Sequence, residues 1–268
     1  MILERFSHSG IQSFKKCPAQ FKFRYIDQIY KKDEGIEAFL GKRVHESIEY
    51  LYNQIKSGVI PLVDEILKVH KSLWKEKWHD RIAIVYQNKT ARDYFYLGEE
   101  CMARFYRLNY PFEEKVIANE HEMVFLLDDD ENYKIKGIVD RVDHDGDGNW
   151  EINDYKTGKR ALSQKEADKD HQLALYQIGL ISEVSNIKSV KLVWHFIQHG
   201  IKVESQRNSD QIKRVIQETK RSIDEIRNKL KNGGEFSPKT SILCNWCYFW
   251  EECPSQSGSN PYINPPKK

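Results

Sequence analysis

The stretch GIVDRVDHDGDGNWEINDYKTG, residues 137–158, carries six carboxylates, Asp140, Asp143, Asp145, Asp147, Glu151 and Asp154, with Lys156 close behind. Carboxylates gathered in this way can hold a hard divalent cation, and two groupings offer themselves. Asp143, Asp145, Asp147 and Gly148 follow the D-x-D-x-D-G opening of an EF-hand loop, and Asp154 falls at its twelfth position, where a bidentate Glu is expected. Both flanks read as strands, however, and Asp and Gly are what a hairpin turn demands, so this grouping predicts a solvated turn. Asp140 and Asp154 are placed differently. Alternation puts Asp140 on one strand face with Ile138 and Val142, and Asp154 and Lys156 on a face of the next strand with Ile152. Ionised acids at half-buried positions need a cation or several donors. Two acids on neighbouring strands beside a lysine suit Mg²⁺ or Mn²⁺; the same residues also suit an ion pair of Lys156 with Asp154 or Asp140 inside a sheet.

A second set of chemically capable residues lies near the C-terminus. CNWCYFWEECP gives Cys244-x2-Cys247-x5-Cys253, and Cys17-Pro18 stands more than two hundred residues upstream. Such spacing is poorly explained by core filling and points to metal ligation. Four thiolates hold zinc tetrahedrally or an iron–sulfur cluster, and spacing leaves both open. Trp246, Tyr248, Phe249 and Trp250 would shield such a centre from water or pack a C-terminal cap. The fifth cysteine, Cys101, falls on a helical stripe and reads as core.

The segments that must carry these groups change texture at Pro111. Before it the chain reads as helical: GIQSFKKCPAQFKFRYI with a break at Pro18, EAFLGKRVHESIEYLYNQI with Val44, Ile48, Leu51 and Ile55 in register, LVDEILKVHKSLWKEKW, and ARDYFYLGEECMARFYRL with a stripe of Tyr94, Leu97, Cys101, Phe105 and Leu108. After it, KVIANEHEMVFLLD, YKIKGIVDRVDHD and NWEINDYK read as strands, KEADKDHQLALYQIGLISEV as a helix, SVKLVWHFIQHG and IKVESQR as strands, and residues 209–231 as a last helix. This order predicts an α/β or α+β domain with a mixed sheet. No repeat or linker divides the chain, which is read as one domain over 1–268 with an N-terminal segment (1–35), a helical region (36–115), a core (116–232) and a cysteine-rich cap (233–268).

Forty-two basic against forty acidic residues give a formal charge of +2, so any nucleic-acid surface must be local. The pairs Lys15-Lys16, Lys31-Lys32, Lys42-Arg43 and Lys159-Arg160 are candidates for phosphate contact, and equally for ordinary solvated surface. The N-terminus lacks the apolar core of a signal peptide and no run approaches a membrane span, so a cytoplasmic protein with reduced or metal-bound cysteines is expected.

GIVDRVD…EINDYKTGK resembles the core motif of the PD-(D/E)XK nuclease superfamily, in particular its RecB-type branch. Further matches fall in the family's order. GKRVHE is similar to the upstream G-x-x-x-H helix (Gly41, His45), HQLALY to the downstream Q-x-x-x-Y helix (Gln172, Tyr176), and FSHSGIQSFKKCPAQFKFRYI to the segment ending in Cys-Pro in iron–sulfur members. The resemblance runs from about Ser7 to Cys253. It implies a restriction-endonuclease-like core with helices on both sides of a mixed sheet and termini stapled by a cluster. It implies that Asp140, Asp154, His45 and the Tyr155 carbonyl ligate Mg²⁺ or Mn²⁺, that Lys156 orients or deprotonates the attacking water, and that Gln172 and Tyr176 face the scissile strand. By the same resemblance Cys17, Cys244, Cys247 and Cys253 hold a [4Fe–4S] cluster rather than zinc. Glu120, on the strand before Asp140, could approach the same site. The function implied is a metal-dependent DNA nuclease, an exonuclease of single-stranded DNA or DNA ends in repair or recombination. The alternative is a silent nuclease fold serving as a DNA-binding scaffold beside a helicase or CRISPR adaptation proteins.

Overall fold

The computed structural model describes residues 3–263. Ser7 caps α1 (His8–Lys16), accepting from Gly10 N, and the chain then extends at Cys17 before restarting at α2 (Pro18–Phe21), with Pro18 in the first turn, where a missing N–H costs nothing. A π-helical segment, Lys22–Ile26, ends this lobe. A short strand β1 (Glu34–Gly35) leads into α3 (Ile36–Lys56), followed by α4 (Val63–Lys77), β2 (Ile82–Ala83), which pairs parallel with β1, and α5 (Ala91–Asn109). Helix α5 opens with a reciprocal cap between Thr90 and Asp93.

The sheet follows: β3 (Val116–Leu127), β4 (Asp130–His144) and β5 (Asn149–Lys156), then α6 (Gln164–Ala167), α7 (Gln172–Glu183), β6 (Ser189–Phe196), β7 (Ile201–Ser205) and α8 (Ser209–Lys231). A 3₁₀ segment, Ile242–Trp246, carries the first C-terminal cysteine. Strand order is β3-β4-β5-β6-β7, all antiparallel except β5–β6, whose parallel pairing requires the crossover through α6 and α7. The mixed α/β architecture is therefore as expected. Among the described residues no helix is long and apolar enough to cross a membrane.

Two apolar cores flank the sheet. Val142, Ile152, Leu192 and Trp194 pack with α1, α7 and α8, while Tyr155 and Ile197 pack with α3, α4 and α5. Val44, Ile48 and Leu51 are fully buried, as the α3 spacing requires, each contributing about 1.5–3 kcal/mol. Three expectations need correction. The helix foreseen across residues 165–184 is two pieces, because Asp168–His171 leaves the helical path and the Asp170 carboxylate instead accepts from Gln172 N and Leu173 N. Leu108 is 56% exposed, because Asn109 and not Leu108 turns inward in the last turn of α5. Ile138 is exposed while Val142 is buried, so the face assigned to Asp140 does not run on unbroken. Val139 and Val142, three residues apart, share one core, whereas Arg141 between them stacks on Tyr52 in the other. Alternation thus slips at Asp140, opposite Glu120 with its φ of 47°.

The aspartate-rich loop is a turn. Asp145 Oδ1 accepts from Asp147 N at 2.7 Å and from Asn149 N at 3.1 Å, and Oδ2 from Asn149 Nδ2 at 2.6 Å, so the carboxylate is used up locally. Gly146 and Gly148 have φ of 97° and 91°, which this tight reversal requires. Asp143 turns inward to Arg141.

Candidate metal centre

β4 is long enough to have different neighbours along one edge. Its first half bridges to Phe6, at Ile135, and its second half pairs with β5 from Arg141 onward. The edge between Gly137 and Asp140 is left open, and the candidate residues surround it. Gly137 admits α7 closely there, since a Cβ would come 2.7 Å from the Tyr176 ring.

Asp140 Oδ2 accepts from the Tyr155 N–H at 2.6 Å, a bond that takes the place of a ladder pairing where the strands part. His45, reaching in from α3, has Nδ1 3.4 Å from Asp140 Oδ1 and Nε2 2.9 Å from the Tyr155 carbonyl oxygen. Glu120 joins from β3, so ligand atoms of His45, Glu120 and Asp140 lie within 4.8 Å of one another. Asp154 stands beside this trio, buried, with Oδ1 accepting from Gln172 Nε2 at 3.0 Å. Its Oδ2 is 2.7 Å from Lys156 Nζ but makes no well-directed hydrogen bond, leaving a buried carboxylate oxygen with capacity to spare. Lys156 donates to Gln172 Oε1 at 3.0 Å, and Gln172 donates to the Tyr176 hydroxyl at 3.2 Å, so one α7 turn holds both polar groups of the helix on this site.

These groups perturb one another strongly. Burial and the neighbouring Asp140 push Glu120 up to about 7. Burial pushes Asp154 up to about 6 against the pull of Lys156. For His45 burial opposes the charge, but the Asp140 hydrogen bond and the charges of Asp140, Asp154 and Glu120 outweigh it and raise the pKa to about 9. Lys156 is likewise held above its ordinary value by Asp154 despite burial. Without metal, the His45 imidazolium thus bridges the Tyr155 carbonyl and Asp140, supplying the positive charge that this acidic pocket needs.

A stability profile follows from the sign of these shifts. The His45 contribution is complete below about pH 6.5 and is lost as pH rises through 9; the penalty of ionising Glu120 and Asp154 is relieved as pH falls from about 7 toward their ordinary values. All three make the metal-free protein less stable at alkaline pH. Thermal melts are expected to show a melting temperature falling steadily from about pH 6 to 9 without metal, and recovering most at the alkaline end on adding Mg²⁺ or Mn²⁺, which competes with these protons.

Sequence reasoning missed two features. Behind β4 and β5, Arg141 is 1% exposed, pairs with Asp143 at 2.9 Å, donates to the Tyr155 hydroxyl at 3.2 Å and stacks on Tyr52. Asn153 joins Asp143 to His195, so the strand that bears Asp154 and Lys156 is anchored from its rear face. Alternation around residues 141, 153 and 155 is the only signal that could have exposed this layer. The other is His8, within electrostatic reach of Lys156, Asp170 and His171, whose pKa burial lowers to about 4, leaving a neutral imidazole beside the site.

Cys17, Cys244, Cys247 and Cys253 line one small cleft, together with Trp250. Donors already face three of the sulfurs: Lys239 N toward Cys17 at 3.5 Å, Ser241 N toward Cys244 at 3.4 Å and Gln20 Nε2 toward Cys247 at 3.7 Å. The other three aromatic residues do not line it. Phe249 packs on Phe23, while Trp246 and Tyr248 turn toward Gly35 at the start of α3. Cys101 is fully buried in the helical core, as expected. Half of the candidate phosphate contacts are ion-paired: Lys31 with Glu251 and Glu252, Lys42 with Glu34, Arg43 with Glu46, Arg160 with Glu166.

A family model of the PD-(D/E)XK nuclease superfamily matches residues 5–254. Among solved structures, the chain is similar to one from Eubacterium rectale described as a "Putative exonuclease", at 16% identity and a TM-score of 0.56, covering 91% of this chain and 87% of that one. It is also matched to SSO0001 at 13% identity and a TM-score of 0.35, covering 91% and 96%, a likeness too distant to carry an argument. No curated protein matches the sequence significantly. The first structural likeness is one of fold, and the family match extends over nearly the whole chain, from the N-terminal segment through the sheet to the cysteine-rich cap; the chain belongs to the PD-(D/E)XK nuclease superfamily.

Proposed function

We propose that this chain is a Mg²⁺- or Mn²⁺-dependent deoxyribonuclease, an exonuclease acting on single-stranded DNA or DNA ends in repair or recombination. The observation that carries the reading is the convergence of His45, Glu120 and Asp140 beside the buried Asp154–Lys156–Gln172 group at the open edge of β4. Asp140, Asp154, the Tyr155 carbonyl and His45 would hold the metal, with Glu120 as a further carboxylate, and the buried Asp154 Oδ2, paired with Lys156 but accepting no well-directed hydrogen bond, fits such a donor set. The bound ion supplies a water nucleophile at neutral pH and neutralises charge on the phosphate. Lys156, kept protonated by Asp154, orients the attacking water and adds fixed positive charge where the transition state gains negative charge. Gln172 keeps Lys156 and Asp154 in register, and Tyr176 closes the floor under the scissile strand. The exonuclease designation of the Eubacterium rectale protein is of the same class as this activity.

We further propose that the four cysteines hold a [4Fe–4S] cluster as a structural staple between the two ends of the chain. The four cysteines line one cleft, and the N–H donors aimed at Cys17 and Cys244 suit thiolates bound to a metal centre.

The test is degradation of end-labelled single- and double-stranded DNA by protein purified without oxygen, with and without Mg²⁺ or Mn²⁺. Release of short products from ends, dependent on the metal, is expected. DNA binding with no cleavage of any substrate would transfer support to the scaffold reading.

A further inference from the structure

We propose that Tyr86, Trp246 and Lys159 form a base-stacking track that delivers single-stranded DNA to the site at the edge of β4; this rests on the nuclease reading and specifies its substrate. The three residues come from distant parts of the chain. Tyr86 lies in the loop between β2 and α5 and is 40% exposed. Trp246 meets its ring edge-on, with centroids 5.4 Å apart, and Lys159 Nζ lies 4.4 Å from its centroid. Lys159 is three residues past Lys156, on the loop leaving β5, and among the described residues it makes no ion pair. Of the nearby acids, Glu34 is matched by Lys42 and His79 and Asp33 by Arg81, while Glu37 beside Gly35 has no cationic partner among the described residues and accepts from the Tyr94 hydroxyl. An aromatic surface beside an ammonium that lies over the Tyr86 ring without an acidic partner is what successive bases and their phosphates require, and a duplex hides the base faces in its own stack.

Helix α3 sets the distance. Its start holds the cysteine-rich segment, with Gly35 N donating to the Tyr248 hydroxyl and Trp246 against the same glycine. One stretch along, Gly41 brings the helix against the loop after β5, where a Cβ would be 3.1 Å from Thr157 Oγ1. His45 follows on the next turn. From Gly35 to His45 the helix rises roughly 15 Å. A strand reaching from one to the other spans about four nucleotides at the stacked spacing, fewer if extended.

Binding is measured by fluorescence anisotropy in a Lys156→Ala background, using labelled oligonucleotides of two and twelve nucleotides and a blunt duplex. Tyr86→Ala and Trp246→Ala should each weaken the twelve-mer by about tenfold, leave the dinucleotide unchanged, and weaken the duplex less. Tyr86→Phe should bind like the parent, a control that does not depend on Trp246→Ala retaining its fold. Lys159→Ala should lower the salt slope by about one phosphate. Parent-like binding of the twelve-mer by Tyr86→Ala, or equal losses on duplex and single strand, overturns the track alone. A parent protein that binds no DNA at all overturns the nuclease reading and the track with it.

Discussion

Lys156→Ala is expected to lower metal-dependent DNA cleavage by about a thousandfold while the protein still folds. The size follows from what is lost together: a positive charge aimed at a developing oxyanion, and the hydrogen bond that holds Gln172 against Asp154. The consequence for stability depends on pH. Removing one partner of a buried pair strands the other charge at a cost of about 3–5 kcal/mol, but the Lys156 side chain is 35% exposed, so solvent has already screened part of this pair. Asp154 also has an escape, since its pKa already stands at about 6 and loss of the ammonium raises it further, so that it takes up a proton. The variant should therefore melt close to wild type near pH 6 and fall behind it near pH 8. Cleavage by the variant at the wild-type rate would remove Lys156, and with it the assignment of the site, from the chemistry.

The second large effect is expected at the cysteines. Cys247→Ser should abolish the visible absorption of the anaerobically purified protein, which zinc, a d¹⁰ ion, would not give in the first place. The cluster would close a loop from Cys17 to Cys244 of more than two hundred residues, worth about 5 kcal/mol in the chain-entropy view. For a chain of this size that corresponds to a melting temperature lower by roughly 10–20 °C. The lobe should loosen rather than dissolve, because Phe14 and Phe21 remain packed on Phe236 at centroid distances of 6.1 and 6.4 Å. Limited proteolysis is expected to cut first in residues 239–263. A variant that loses its colour yet keeps full stability and activity would refute the staple.

Much of this protein is decided by neighbours along the chain. The helical spacing of Val44, Ile48 and Leu51 buries one face of α3, and the next position, His45, is necessarily at that face's border. The four-residue step from Gln172 to Tyr176 puts both on one side of α7, and the Asp–Gly run between β4 and β5 can only be a tight turn. Periods of 3.6 and 2 are local properties of the backbone, so residue types at those periods reveal them without any knowledge of the fold. Tertiary structure alone decided the rest. Glu120 reaches Asp140 because β3 pairs in one register and not in the next, and alternation slips at Asp140 because β5 and Phe6 take different halves of the β4 edge. Arg141 is tolerated in the interior only because Asp143, Tyr155 and Tyr52 surround it, and Trp246 leaves the cysteines for Tyr86 because α3 and the β2–α5 loop arrive there. Apart from Arg141–Asp143, neighbours on one strand face, these contacts join residues from 14 to 160 positions apart, where no backbone period operates and only the packing of whole elements against one sheet determines which side chains meet.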